Sequence, residues 1–486
     1  MSVDSLLRKA ETLERKGRAD DALKLYATIL TRYPNNPRAA NAMMRVRTQD
    51  ILSATQTGTL APEHLKALIR LCETDQIQEA EYAFKHLLDF FSDHPPLCNI
   101  GGVIYSRLGD HQQAVTQFQR SLELQPGEAS THSNLGNALI EIGNLNLAEQ
   151  EFEKALEIAP DDVSTLSNLG RLMVMGGRLE EAQAIFKKSF IIAPKNTEII
   201  LNYANILIDL QHISDAVSML TSGLKEHPDD WRIHKSLAVA HVRSQQHDAA
   251  LSHYRTALAL NPGVPEIEHM IDALSGTQRD RASARYVETL FDGFATSFDE
   301  NLTGKLGYSL PEETSELLNE LRLSKPVHSI LDLGCGTGLL GPHVRDIADY
   351  LVGVDLSSKM LQRAAETGCY DKLVKADVHD FLASCKGDFD VIVALDVLIY
   401  VGEIDSLLAA AATCCASETL MVLSTEGLPS GDFALQPTGR YAHSDEYVDK
   451  CAARHGFSLQ RREQKTLRIE QGQPVEGSVH VLCRLH

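Results

Sequence analysis

The chain has 486 residues, 43% of them hydrophobic and 23% charged, with a formal net charge of −20. Its length asks for about two to four cores, and its acid excess argues against a nucleic-acid partner, which needs clustered Lys and Arg. No apolar run approaches the ~20 residues that cross a bilayer, and the charged start MSVDSLLRKAETLERKGRAD lacks an apolar signal core. A cytoplasmic protein without membrane insertion is therefore expected.

There are nine cysteines, an odd number; none sits in a CxxC pair, and Cys414 and Cys415 are adjacent. Reduced thiols are expected rather than bridges, and no metal is expected.

The first half counts in steps of 34. Prolines 126, 160, 194, 228 and 262 keep that step, as do Ala148, Ala182, Ala216 and Ala250. Phe118, Phe152 and Phe186 follow it, then Leu220 and Tyr254, and Gly136 pairs with Gly170. A fixed period marks a repeat architecture. Each unit reads as two amphipathic helices with small residues at the crossing and a proline closing the second.

The unit HSNLGNALIEIGNLNLAEQEFEKALEIAP (132–160) resembles the tetratricopeptide repeat family. Five good repeats are expected over 95–264. Another covers 3–36, with Ala22, Tyr26 and Pro34 in the family positions. Residues 37–94 are poorer, and only EAEYAFKHLL (79–88) looks like a second helix. PEIEHMIDALSG (265–276) is expected to cap the stack, giving an all-α solenoid over 1–276.

Such stacks carry a groove for peptides or serve as passive spacers. Asn134, Asn168 and Asn202 recur once per repeat on the first helix. A row of side-chain amides can pair with an extended backbone of any sequence. The row resembles the asparagine ladder in the repeats of nucleocytoplasmic protein-glycosylating transferases. It implies a protein or peptide in the groove, although asparagine also serves packing in such units.

The linker TQRDRASARYVETLF (277–291) lacks proline. It is expected to run as a helix from the cap into a lid, with linker and lid together covering 277–302, and to couple the two mechanically.

From about 329 the pattern changes to strand and helix in alternation. SILDLG, YLVGVDL, KLVKADV, FDVIVALDV and ETLMVLS are short β-branched-rich runs separated by helical patterns. FSLQRREQKTLRIE (457–470) and SVHVLCRL (478–485) read as an antiparallel pair joined by GQPVEG. A doubly wound, Rossmann-like α/β domain is expected over 303–486.

Ligands bind at the carboxyl ends of such strands. The first ends at LDLGCGTG (331–338). A dinucleotide fingerprint would need a third glycine at 339, which is Leu339, and a Walker loop would need GK[ST]. Asp332 beneath the loop suits a cation, such as the sulfonium and ammonium of S-adenosylmethionine. Asp355 ends the second strand, placed for two ribose hydroxyls. Asp377 ends the third, placed for an adenine amino group, with Val378 flanking the ring. Any one of these carboxylates could be only a helix cap; three in register with the glycine loop point to a site.

Residues 286–486 thus resemble the class I S-adenosylmethionine-dependent methyltransferases, most closely the ubiquinone and biotin-pathway branch. The whole chain resembles predicted bacterial repeat-containing methyltransferases. The resemblance implies that Asp332, Gly334, Cys335, Gly336, Gly338, Asp355, Leu356, Asp377, Val378 and Leu395 line the methyl donor. It also implies a lid over 286–302, where Phe298 replaces a common tyrosine.

The [DNS]PP[YFW] motif of base and amide methylation is absent, with LDVLIY in its place. Asp396, Tyr441 and His443 are the candidate catalytic groups. His443 could act as a base, or be only a neighbour of a helix cap. Tyr400 is read as a wall of the substrate pocket. The expected function is methylation of a protein, peptide or carrier-bound substrate recruited by the repeats. The alternatives are a small carboxylate or lipid-derived substrate with the repeats as scaffold, and a non-enzymatic scaffold.

Overall fold

The structure is a computed structural model and describes residues 3–295, 308–321, 327–385, 387, 389–470 and 473–485. Phe298, and with it the second half of the expected lid, lies outside the described residues. The chain divides into two compact units, Met1–Ile206 and Leu207–His486. None of the helices among the described residues is long and apolar enough to cross a membrane.

The first unit consists of helix pairs: α1 (Val3–Arg15) and α2 (Ala19–Arg32), α3 (Pro37–Arg47) and α4 (Gln49–Thr57), α5 (Pro62–Glu73) and α6 (Ile77–Leu88). It continues with α7 (Pro95–Leu108) and α8 (His111–Leu124), α9 (Ala129–Glu141) and α10 (Leu145–Ile158), and α11 (Val163–Met175) and α12 (Leu179–Ile192). It ends inside α13 (Thr197–Asp209). The segment 37–94, weak in its sequence pattern, folds into helices like the rest.

The 34-residue period has a packing cause. Ala148, Phe152 and Ala182 are fully buried and Phe186 nearly so. A Cβ added at Gly136 would lie 2.6 Å from the Phe152 ring, and one at Gly170 would lie 2.7 Å from the Phe186 ring. Each aromatic ring occupies the space that its glycine leaves, so the two recur together.

The second unit opens with α14 (Ile213–Glu226), α15 (Trp231–Arg243), α16 (His247–Leu260) and α17 (Pro265–Ser275). Contacts group these last repeat helices with the sheet rather than dividing the chain at 276. The expected helix through the linker does not form. Gly276 caps α17 in the left-handed region at φ +69°, and residues 277–283 run as an extended strap.

Arg281 bridges Val401, the Ala282 N–H donates to the Tyr400 carbonyl, and the Asp280 carbonyl accepts from Gly402 and Glu403. Ser283 then caps α18 (Ala284–Phe294). These bonds to the 400–403 loop replace part of the pairing that a helix would give the linker backbone.

The sheet contains β1 (Ser329–Leu333), β2 (Tyr350–Asp355), β3 (Lys372–Lys375), β4 (Phe389–Ala394), β5 (Cys415–Gly427), β6 (Phe433–Leu435), β7 (Tyr441–His443), β8 (Phe457–Glu470) and β9 (Gln473–Arg484). Its helices are α19 (Leu310–Leu321), α20 (Gly341–Val344), α21 (Ser358–Glu366), α22 (Val378–Ser384), α23 (Asp405–Ala412) and α24 (Asp445–Arg454). Strand order runs β3-β2-β1-β4-β5, parallel throughout, with β9 antiparallel to β5 and β8 outermost on β9. This is the expected doubly wound fold finished by a hairpin.

Two features depart from the sequence reading. β9 begins at Gln473, so GQPVEG is mostly strand; Pro474 is tolerated because β5 pairs β9 only from Gly477 onward. The short β6 and β7 were not expected. Glu426 pairs with Gly477 of β9 on one side and with Ala442 of β7 on the other, so β7 continues the side of β5 that β4 leaves. The β6–β7 pair therefore stands at the carboxyl end of β4.

The capping helix α17 docks here. His269 Nε2 donates to the Gly439 carbonyl at 2.7 Å, and its ring stacks on Tyr286 of α18 at 4.3 Å. Ala273, Ala282, Tyr286, Leu435 and Tyr441 form one buried cluster around this contact.

Two outcomes follow. Gly170→Ala should destabilise the repeats by about 1–3 kcal/mol through overpacking against Phe186, read in urea denaturation; an unchanged midpoint refutes the packing account. His269→Ala should raise amide exchange in 436–440 and α18 while α1–α12 keep theirs, and exchange confined to α17 would show that the contact does not hold the loop.

Candidate functional site

Loops at the carboxyl ends of β1, β2 and β4 enclose a cavity of about 440 Å³ under α18 and the strap. The size suits a small-molecule ligand. Its walls begin with the glycine loop. The Gly334 and Cys335 N–H groups donate to the Val354 carbonyl at 2.7 and 3.0 Å, folding the loop back over β2. Gly334 has φ +68°, and a Cβ there would lie 2.4 Å from Val397. No other residue fits that turn beside the β4 loop.

Asp355 stands at the tip of β2, 9% exposed. Its Oδ2 accepts from Gly336 N–H at 3.0 Å and its Oδ1 from Ser357 N–H at 2.8 Å. Leu356 N–H also bears on the carboxylate, and a carboxylate has about four acceptor sites, so capacity remains for a ligand hydroxyl. Burial raises its pKa against these hydrogen bonds, which lower it.

Asp332 lies beneath the loop, 5% exposed, accepting the Tyr370 hydroxyl at 2.7 Å. Burial pushes its carboxyl up to about 7, against the Tyr370 bond. An uncompensated carboxylate here is costly, and a ligand cation would relieve it. No lysine or arginine lines the cavity beside the glycine loop among the described residues; Arg281, Arg440 and Arg468 line other walls.

Asp377 caps α22: Oδ1 accepts from the His379 N–H at 2.9 Å, and Arg281 reaches the same oxygen at 3.0 Å. It is both a helix cap and a lining residue. Val378, Leu356, Leu395 and Cys335 line the cavity with it. Gly338 does not: it packs under Tyr370 and Ala364, turning the chain at φ +86°.

The lid helix α18 covers this end. Ser357 Oγ donates to Asp292 at 2.5 Å, Lys375 binds Glu288 at 2.7 Å, and Arg363 donates to the Ala295 carbonyl at 3.1 Å. Val287, Leu290, Phe291 and Phe294 present their side chains to the cavity.

At the other end stand Tyr308, Leu395, Asp396, Tyr400, Arg440 and Arg468. Asp396 and Tyr400 both line the cavity, with Phe291 edge-on to Tyr400 at 5.5 Å. Tyr441 and His443 do not reach the cavity. Both are in β7, 0% and 1% exposed. Tyr441 belongs to the cluster around His269. His443 stacks on Tyr447, donates Nε2–H to the Gly402 carbonyl at 3.0 Å, and is held by burial down to about 4. It is a core histidine beside Ser444, the N-cap of α24. Burial in an unexpected strand, rather than a loop, removes both as catalysts.

Arg440, Arg468, Glu426 and Glu470 were missed in the sequence. Arg468 is 3% exposed within β8 and pairs with Glu426, with Asp396 at 3.3 Å and with Glu470 at 3.8 Å. Arg440 pairs with Glu470 and lies 3.7 Å from Glu426. No local sequence pattern marked them. His379 also lines the cavity, with Nδ1 lacking a hydrogen-bond partner among the described residues.

In the repeats, Asn134 and Asn168 are half-buried, and Asn134 Nδ2 donates to Asn99 at 3.4 Å. Asn202 Nδ2 is buried without a partner among the described residues. Asn134 thus has a packing partner in the preceding repeat, and the ladder is not a row of free amides.

Comparison with known proteins places these observations. Residues 303–466 match a methyltransferase domain family. Tetratricopeptide repeat families match residues 4–36 and 107–172, and the TPR domain of cytochrome c-type biogenesis protein H matches 154–264. The 18S rRNA (guanine-N(7))-methyltransferase of Bos taurus is 32% identical over 74 residues, 15% of this chain and 26% of that protein. A ubiquinone biosynthesis O-methyltransferase of Thiobacillus denitrificans is 32% identical over 129 residues, 26% of this chain and 53% of that protein.

The chain thus spans about a quarter to about half of the length of these curated relatives. Among solved structures, magnesium protoporphyrin IX methyltransferase from Synechocystis PCC 6803 with bound SAM is 19% identical, covering 41% of this chain and 96% of that one at a TM-score of 0.32. The chain therefore joins tetratricopeptide repeats to a methyltransferase domain.

Proposed function

We propose that the chain transfers a methyl group from S-adenosylmethionine to an acceptor that the repeats recruit. The observation that carries this reading is Asp355, a buried carboxylate at the tip of β2 that lines the cavity and is held in place by backbone N–H groups of the glycine loop and of the start of α21. It suits the paired hydroxyls of a ribose. Asp332, held partly protonated by burial, suits the cationic methionine end, and Asp377 with Val378 suits the adenine. When bound, the donor supplies an electrophilic methyl on a sulfonium.

The protein's part is to aim the acceptor and exclude water. Methyl transfer disperses charge, so a closed apolar cavity favours it. The lid helix, fixed through Asp292 and Glu288, and the strap wall supply that closure. Recruitment by the repeats is supported by the periodic Asn134, Asn168 and Asn202, all three of which are half-buried rather than core.

A proton on Asp332 must leave before a cation can pair with it. S-adenosylmethionine affinity should therefore be flat above pH 7 and fall by up to about tenfold per pH unit below it. Asp332→Asn should weaken binding above pH 7 and lose that slope, in titration calorimetry. A parallel slope in the variant would assign it to another group.

With methyl-labelled donor and an extract of cells lacking the protein, label is expected in a macromolecular fraction and absent with Asp355→Ala. Replacing Asn134, Asn168 and Asn202 together by Ala should cut that labelling about tenfold or more. Full labelling by the triple variant would make the repeats a scaffold.

A further inference from the structure

The five charged groups at the acceptor end do not balance. Asp396, Glu426 and Glu470 are three carboxylates against the two guanidinium groups of Arg440 and Arg468. The closest pairs are Arg440 with Glu470 and Arg468 with Glu426. Asp396 is left with a single contact, at 3.3 Å, from Arg468 Nη1. The other groups bearing on it are Arg440, Glu426, Glu470 and the Tyr308 and Tyr400 hydroxyls. Buried carboxylates are ordinarily matched by cations or hydrogen-bond donors. Asp396 is the member of this cluster in excess, and it lines the cavity.

Its backbone supports the same reading. Asp396 has φ 55°, a left-handed conformation unusual for a residue with a side chain. Its N–H donates to Ser424 Oγ at 2.8 Å, which holds the turn. Such strain persists where the surroundings over-determine it, often at functional sites. The turn sets the carboxylate between Arg468 and the cavity at the end of β4.

We propose that the acceptor's nucleophilic atom carries its own proton, as a hydroxyl or amine, and that Asp396 receives that proton. This rests on the methyl-transfer reading above. A carboxylate acceptor would add a fourth anion to a buried cluster whose two cations are already matched. An O–H or N–H instead supplies the donor that Asp396 lacks.

The acceptor oxygen or nitrogen forms a bond to the methyl carbon as the carbon–sulfur bond breaks. That electron pair passes to sulfur, which becomes neutral, and the acceptor proton moves to Asp396. Burial raises the Asp396 carboxyl above its ordinary range, with Arg468 working against it, which strengthens it as a base. Arg468, fixed by Glu426, is a positioning residue. The apolar and aromatic walls, Leu395, Tyr308, Phe291 and Tyr400, hold the rest of the acceptor.

The test uses the full chain, methyl-labelled S-adenosylmethionine and an extract of cells lacking the protein. The labelled product is treated with alkali. Methyl esters release volatile methanol, whereas ethers and N-methyl groups do not. Label that stays non-volatile is expected, and release of most of it as methanol overturns the proposal.

Asp396→Asn is expected to slow transfer by about 100-fold or more while leaving donor affinity within about threefold. Retained donor binding certifies that the variant is folded. Transfer at the wild-type rate by a donor-binding variant also overturns the proposal. A wild-type chain that binds no S-adenosylmethionine would sink the methyl-transfer reading itself, a result distinct from either of these.

Discussion

The bond from Gly336 N–H to the Asp355 carboxylate sets most of the donor end. Through it the loop after β1 is fixed to the tip of β2. The same carboxylate accepts from Ser357, and the Ser357 hydroxyl both caps α21 and donates to Asp292 of the lid helix. Loop, strand tip, helix start and lid are thus joined through one side chain and its neighbour. Charge-assisted bonds to backbone N–H groups are among the stronger hydrogen bonds. A shorter side chain at 355 leaves the Gly336 and Ser357 N–H groups without this acceptor.

The cavity's two ends handle charge in opposite ways. Beneath the glycine loop, Asp332 and Asp355 stand close together with no facing cation among the described residues, and burial raises both. The protein keeps that end short of positive charge, which a cationic ligand can supply. At the acceptor end the charges are nearly matched internally, and the residual belongs to one group. Matching two arginines to two glutamates lowers the cost of burying them and fixes β5, β8 and the loop before β7 as one wall. The carboxylate outside those pairs is the proposed proton acceptor.

Sequence patterns carried the fold further than the site. The 34-residue period was legible because each aromatic ring needs its glycine, a constraint local to one repeat. The parallel strands were legible because both sheet faces are covered. Asp355 and Asp377 were legible because strand ends place them by topology alone. Arg468 was not, because its partners Asp396 and Glu426 lie 72 and 42 residues away, in a turn and a strand whose proximity no local pattern states. Tyr441 and His443 misled for a related reason. A three-residue strand has too little alternation to declare itself, so two core side chains looked like loop residues. The strap misled because a proline-free charged segment is a good helix only if nothing else satisfies its backbone. The loop at 400–403 does.

That strap changes what the last repeat helix is for. An exposed stack end must be covered, normally by a polar-faced cap. Here α17 packs one face on Tyr254 and Ala257 of α16 through Ile267. Its other face, at Ala273 and His269, meets Tyr286, Tyr441 and Gly439. Gly439 precedes Arg440, and Tyr286 lies on the lid helix. The contact that ends the stack therefore also sets one wall of the acceptor pocket and the base of the lid. Removing α17 would bare Tyr286 and Tyr441 and free the 436–440 turn. In packing terms α17 belongs with the sheet and the lid helix as much as with the repeat helix before it.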